Sequence, residues 1–253
     1  MMRMPYTMRS RLGLGPRAGT GERVYAIGDV HGSIELLNRL MAKIREDHAK
    51  RKRMPMRLIV LGDFLDRGDN SAEVLQKLRL LDQASDRVCV LLGNHESALL
   101  DCTEGNAEAQ EEWLRYGGDT TLRSFDIAPP KSGESAEAFA LRVTKGIGEE
   151  NLDWLRDRPL SARSGDYFFC HAGVRPYIPL HRQSADDLLT IRDEFLESEV
   201  DHGAVIVHGH SIVNDGAEIR HNRINVDSGA YQTGKLTAVG LEGTAQWLVE
   251  ASI

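Results

Sequence analysis

A chain of 253 residues, 41% of them hydrophobic and 27% charged, has the composition of an ordinary globular protein with one sizeable core. The net charge is −7, and the first 21 residues carry Arg3, Arg9, Arg11 and Arg17 with no acid, so the rest is more acidic than the whole; such a body disfavours phosphate backbones, which reward Lys and Arg. No apolar run approaches the roughly 18 residues of a membrane span, so neither nucleic acid nor membrane is an expected partner.

In chain order, residues 1–21 read as a flexible basic tail. The stretch lacks the apolar core of a signal peptide, and its acid-free make-up only loosely resembles a transit peptide. Residues 22–253 are expected to form one domain. The apolar run Val24–Ile27 leads into GDVHG, after which Ile34, Leu37, Leu40, Met41 and Ile44 recur at helical spacing. Met56–Asp63 (MRLIVLGD) is a second run, followed by Val74, Leu75, Leu78 and Leu81; RVCVLLGNHE, residues 87–96, is a third. Strand, loop and helix repeating in this way predict an α/β fold, a parallel or mixed sheet flanked by helices. Sites in such sheets gather where strands end and helices begin. Residues of about 103–165 read as a helical insertion, with a loop around Pro129–Ser135. YFFCHAGV, GAVIVHGHS, RINVDSGA and KLTAVGLEG then read as short strands, and the alternation over Leu236–Leu241 suits an antiparallel pair. Cys89, Cys102 and Cys170 are odd in number and widely spaced, which fits reduced thiols in a cytoplasmic protein.

Polar groups end the apolar runs: Asp29 and His31; Asp63, Asp66 and Arg67; Asn94 and His95; His171; His208 and His210. Singly, an Asp after a strand is a turn or helix cap, and a His on an apolar run is a satisfied core residue. Together they carry weight, because five of the nine histidines fall at these ends; His48, His181, His202 and His221 read as surface residues. Asp, Asn and His side by side suit cations of intermediate hardness, manganese, iron or zinc, and the lack of cysteine argues against a structural zinc site. A pair of ions needs a bridging anion. Asp63, central among the first three motifs, is the candidate, and paired ions about 3.5–4 Å apart are the usual device for phosphate ester hydrolysis. No GxxxxGK[ST] loop supports a kinase or ATPase.

GDVHG (28–32), GDFLDRG (62–68), GNHE (93–96), HAG (171–173) and HGH (208–210), in this order, resemble the signature of the metallophosphoesterases. GDFLDRG narrows the resemblance to the phosphoprotein phosphatase (PPP) family. LLTIRDEFL (188–196) and WLRYGGDTTLRSF (113–125) resemble its bacterial branch, which includes lambda phosphatase and the symmetrical diadenosine tetraphosphate hydrolases. The resemblance implies the calcineurin-like α/β/β/α sandwich and two metal ions, most simply manganese. It implies that Asp29 and His31 hold the first ion, that Asp63 bridges, and that Asn94, His171 and His210 complete the second. Arg67 and Arg192 would clamp phosphate oxygens, as guanidinium forks do well. His95, oriented by Asp66, would protonate the leaving oxygen in a single in-line displacement by a metal-activated water.

Bland readings stand beside several of these residues. Glu96 reads as a cap or a support for the site; His208 would face the same way as His210 on a strand and reads as structural. Asp227 reads as a turn residue whose strand-end position leaves a minor site role open, Trp113 and Tyr231 as packing ahead of flanking a substrate, and KIREDHAKRKR (43–53) as a solvated helix end ahead of a docking site for acidic partners. Arg192 could instead pair with Asp193 or Glu194. The sequence departs from the family at Asn70, where relatives often have proline nearby and the loop could be looser, and in HGHSIV. The functional expectation is a serine/threonine protein phosphatase acting on a phosphoprotein, mildly favoured by the scarcity of basic residues in the insertion before Lys131. The alternative on the same residues is a symmetrical diadenosine tetraphosphate hydrolase acting on a small phosphoester. A non-catalytic module is a third reading, against which every expected ligand is intact.

Overall fold

In the computed structural model, which describes residues 14–213 and 216–253, side chains of strand β1 (Arg23–Ile27) part by the two-residue period of an extended chain. Tyr25 and Ile27 enter a core shared with helices, while Val24 and Ala26 enter a second core between two sheets. Helix α1 (Ile34–Lys50) buries Leu36, Leu37, Leu40, Met41 and Ile44. Then follow β2 (Met56–Val60), α2 (Ser71–Ala84) and β3 (Val88–Val90). The next stretch is helical: α3 (Asn94–Cys102), α4 (Ala107–Trp113), a π-helical turn Leu114–Gly118, α5 (Asp119–Ser124), α6 (Ala136–Ile147) and α7 (Glu149–Arg156). Asn106 and Ser135 cap α4 and α6 by accepting N–H groups of their first turns. The helical course ends at Arg156, and Ser161–Ser164, inside the span expected as an insertion, is strand β4. Strand β5 (Tyr167–Cys170), α8 (Ala185–Thr190), α9 (Asp193–Leu196), β6 (Val205–His208), β7 (Glu218–Ile219), β8 (Arg223–Asn225), α10 (Ala230–Thr233), β9 (Lys235–Glu242) and β10 (Ala245–Ser252) complete the chain.

The strands form two mixed five-stranded sheets, in the orders β10-β9-β1-β2-β3 and β4-β5-β6-β8-β7. β1, β2 and β3 run parallel, as the βα rhythm predicts, and β9 runs antiparallel to both β1 and β10. The second sheet is parallel across β5-β6-β8. Val24, Ala26, Ile59 and Leu91 of the first sheet meet Tyr167, Phe169, Val207 and Ile224 of the second in a shared core. The first sheet's outer face packs on helices, and a smaller cluster of Phe168, Cys170, Ile206, Leu188 and Phe195 covers the second. This is the α/β/β/α sandwich that the resemblance implies.

Residues 1–13 of the expected flexible tail lie outside the described residues. Arg17–Gly19 are not loose. Ala18 N–H donates to Gly243 O (2.9 Å), Arg17 N–H to Asp166 Oδ2 (2.8 Å) and Gly19 N–H to Ser164 Oγ (2.8 Å), so the segment laces the two sheets together. His48 and His202 are half-buried rather than superficial. The three cysteines are free thiols. Among the described residues no helix is long and apolar enough to cross a membrane.

Candidate active site

Three parallel strands deliver their carboxyl ends to one edge, and the loops that follow are strained there. Of the seven non-glycine residues with positive φ among those described, five are His31, Asp63, Asp66, Arg67 and His210. L-residues avoid this conformation, and strain concentrated at one place marks a site that the surrounding fold must enforce.

Glu96 is much of the enforcement. Fully buried at the start of α3, it accepts the N–H groups of Asp63 (2.8 Å) and Gly93 (3.0 Å) on Oε2, and those of Phe64 (2.9 Å) and Leu65 (3.0 Å) on Oε1. One carboxylate thus ties the loop after β2 to the loop after β3. Burial, with the charge of Asp63 beside it, pushes the Glu96 carboxyl up to about 7. Gly93 is required by close approach: a Cβ there would lie 2.2 Å from Asp63 Oδ1. The loop after Arg67 is tied rather than loose, with Asn70 N–H donating to Gly32 O (3.1 Å).

Asp63 is the hub. Its Oδ2 lies 3.3 Å from His171 Nε2, 3.7 Å from His31 Nε2 and 3.8 Å from His95 Nε2. His171 Nε2 is also 2.9 Å from Asn94 Oδ1 and 3.1 Å from His210 Nδ1. Two groups could hold a cation: His31, Asp63 and His95, and Asp63, His171 and His210. The rings are aimed from behind, His31 Nδ1 by Leu65 O (2.8 Å) and His171 Nδ1 by Leu61 O (2.9 Å), which turns each Nε2 inward. Burial pushes His31 down to about 3, and burial with His171 alongside pushes His210 down to about 2, so both are neutral imidazoles able to ligate. Asp29 stands at the edge of this cluster, its carboxylate accepting His210 N–H (3.0 and 3.2 Å). Burial and the neighbouring carboxylates of Asp227 and Asp63 hold Asp29 well above the usual carboxylate range. Three buried carboxylates beside the neutral imidazoles of His31 and His210 fit divalent cations of intermediate hardness, because buried charges persist in a protein only when paired or bound to metal.

His95 Nδ1 lies 2.8 Å from Asp66 Oδ2, and both side chains are buried. Burial opposes a charge on His95, but Asp63 and Asp66 outweigh it and raise its pKa. Asp66 is itself held by Trp113 Nε1–H (3.1 Å) and Thr121 Oγ1–H (2.6 Å), and its backbone N–H donates to Ser71 Oγ and Thr121 Oγ1, both at 3.0 Å. Helices of the expected insertion therefore orient the His–Asp pair, and Trp113 is more than packing. Tyr231 too reaches the site: its hydroxyl accepts from Arg67 Nη1 (3.2 Å) and its ring meets His31 edge-on (5.2 Å).

Arg192 is exposed and makes no side-chain hydrogen bond or ion pair to the described residues. The expected competitor Glu194 pairs instead with Arg175 (2.7 Å). Arg67, His95, Asn94, His210 and Arg192 line a single cleft of about 680 Å³. His208 does not face the way His210 does. β6 ends at His208, Gly209 intervenes, and His210 takes φ +65° to meet His171, while the His208 ring packs edge-on against Phe195 (5.0 Å). Asp227 is more than a turn residue, since it is buried beside Asp29 while its Oδ1 accepts Gly229 N–H (2.9 Å). Glu96 supports the site as its sequence position suggests, whereas Thr121, Ser71 and Asp227 are supporting residues that the sequence hardly marks. Among these three, only the strand-end position of Asp227 hinted at a role.

A family model described as calcineurin-like phosphoesterase matches residues 22–239. Over 152 residues, 60% of the chain, the sequence is 33% identical to a Dechloromonas aromatica (strain RCB) protein named bis(5'-nucleosyl)-tetraphosphatase, symmetrical. Over 153 residues it is 36% identical to the protein of the same name from Methylococcus capsulatus (strain ATCC 33009 / NCIMB 11132 / Bath). Each match takes in 44% of the relative, so the chain spans less than half the length of these curated relatives. A crystal structure provisionally named a diadenosine tetraphosphatase superposes with a TM-score of 0.63 over 94% of this chain and 98% of that one, at 20% identity, a likeness of fold.

Proposed function

From the premise that this chain belongs to the calcineurin-like phosphoesterases and is a metal-dependent phosphoester hydrolase, we propose that it cleaves a symmetrical dinucleoside tetraphosphate into two nucleoside diphosphates. The chemistry rests on one observation, the convergence of His31 and His171 on Asp63, with Asn94 and His210 against the His171 ring and the His95–Asp66 pair alongside. The substrate rests on the name that both relatives carry. The serine/threonine phosphatase reading, which the scarcity of basic residues in the insertion mildly favoured, uses the same residues, so the motifs do not separate the two; the relatives' name moves the preference from phosphoprotein to dinucleotide.

In this reading Asp29, His31 and Asp63 hold one ion, and Asp63, Asn94, His171 and His210 the other, with manganese the first choice for an Asp/Asn/His set. When bound, two such ions supply an activated water and neutralise charge on the reacting phosphoryl group. Arg67 and Arg192 bind phosphate oxygens; Arg67 is stiffened by the Tyr231 hydroxyl, and Arg192 forms no ion pair with a carboxylate among the described residues. Water adds across the central P–O–P bond, its oxygen going to one phosphorus while the bridging oxygen leaves with the other. His95, its Nδ1 fixed on Asp66, presents Nε2 to that leaving oxygen as proton donor. Incubation of the manganese-loaded protein with diadenosine tetraphosphate, with products separated by ion exchange, tests this. ADP as sole nucleotide product is expected. ATP with AMP, or no cleavage while a phosphoserine peptide is hydrolysed, would replace the reading.

A further inference from the structure

The cleft wall beyond the imidazoles carries an aromatic ring that no step above uses. Tyr116 is 55% exposed and lines the cleft with Ser97, Ala98, Leu189, Arg67 and Arg192. It stands on the π-helical turn Leu114–Gly118, a kind of distortion frequent at functional sites. The next residue, Gly117, takes φ +112°, and its carbonyl accepts the Arg67 N–H (3.3 Å). A Cβ at Gly117 would come within 2.9 Å of the Arg67 backbone nitrogen, so no larger residue fits between them. The turn that supports a phosphate-binding arginine therefore also fixes where Tyr116 stands.

The charge on the same wall narrows what can lie there. Among the described residues, Arg67 and Arg192 are its only arginines or lysines, while Asp101, Glu112 and Asp186 line it as exposed carboxylates. A phosphate chain laid along this wall would meet three like charges. A nucleoside brings a flat π-face for Tyr116, and hydroxyl and amino donors for carboxylates that can only accept.

We propose that Tyr116, with Leu189 and the flanking carboxylates, forms a nucleoside subsite that receives the base of the substrate while Arg67 and Arg192 hold its phosphates. The subsite rests on the nucleotide reading of the cleft given above.

The test is competitive inhibition of p-nitrophenyl phosphate hydrolysis by ADP and by inorganic pyrophosphate, in manganese-loaded wild type, Tyr116→Phe and Tyr116→Ala. The two inhibitors share a diphosphate, so the ratio of their inhibition constants isolates the adenosine. Wild type and Tyr116→Phe should bind ADP about tenfold more tightly than pyrophosphate, the scale of one base–aromatic stack, and Tyr116→Ala should lose that advantage with its pyrophosphate constant unchanged. The subsite is refuted if ADP has no advantage in wild type, if Tyr116→Ala keeps it, or if Tyr116→Ala weakens both inhibitors alike, which would report collapse of the turn. Should ADP behave as expected while the dinucleotide is left uncut, the substrate reading falls and the subsite stands.

Discussion

At the scale of single residues, Glu96 and His95 differ in kind although they are neighbours in the chain. Glu96 accepts four backbone N–H groups from two loops. In Glu96→Gln one acceptor oxygen becomes a donor, leaving two of those groups unpaired, at a cost of roughly 1–3 kcal/mol each. Thermal unfolding should shift down by several degrees, and manganese binding measured by calorimetry should weaken because Asp63 is no longer held; a wild-type melting curve would refute the tie. His95→Asn should unfold like wild type and act on rate instead. A nucleoside diphosphate leaves as a spread-out anion, whereas a serine alkoxide needs a proton, so the loss in kcat should be smaller on the dinucleotide than on an alkyl phosphate ester. General acids contribute about 10²–10⁴-fold on poor leaving groups. Equal losses on both substrates would remove His95 from the acid role. Much of this level was legible in the sequence, since Asp29, His31, Asp63, Asp66, Arg67, Asn94, His95, His171 and His210 all stand where apolar runs end, and the fold gathers them. Trp113, Thr121 and Ser71 were not legible as supports, because their bonds to Asp66 bridge distant segments and no local pattern encodes them.

At the scale of elements, α8 and α9 carry Arg192 between them. Arg175 clamps both, meeting Asp187 through Nε and Nη2 and Glu194 through Nη1. Its guanidinium beside Asp187 holds that carboxyl below the usual range, with the N-cap Ser184 adding a hydrogen bond. A carboxyl lowered in the folded state stabilises the fold above its ordinary value of about 3.9 and loses that contribution as pH falls through the folded value. Hydrogen-exchange protection of the Ala185–Thr190 amides should therefore drop between pH 6 and pH 3, and in Asp187→Asn it should be low at both. A pH-independent wild type would contradict the clamp. The βα rhythm of the first sheet followed from periodicity, because β1, β2 and β3 are each followed directly by a helix. Strand β4 was hidden in the expected insertion, since Ser161–Ser164 has no apolar alternation and gains its place from pairing with β5.

At the scale of the whole molecule, the two sheets close over Asp29, Asp63 and Asp227, each buried. Cations that bind only the folded chain stabilise it by about 2.7 kcal/mol at a hundredfold excess over Kd, and for a chain of this size each kcal/mol is worth roughly 2–4 °C. Chelation should accordingly lower Tm by roughly 5–10 °C in wild type and leave Asp63→Asn nearly unmoved. An unchanged wild-type Tm would remove the metal centre from the account. The order of the second sheet and the docking of Arg17–Gly19 could not be read from the chain, because both depend on partners more than a hundred residues away for the N-terminal segment and on long-range pairing for the strands.

The most direct test of the central claim is kcat/KM of the manganese-loaded protein on diadenosine tetraphosphate and on a phosphoserine peptide, with Asp63→Asn as the blank. The account predicts that the dinucleotide is turned over by far the faster and that the blank is inert on both. Faster turnover of the peptide would return the protein-phosphatase reading, and a blank equal to wild type would contradict the site itself.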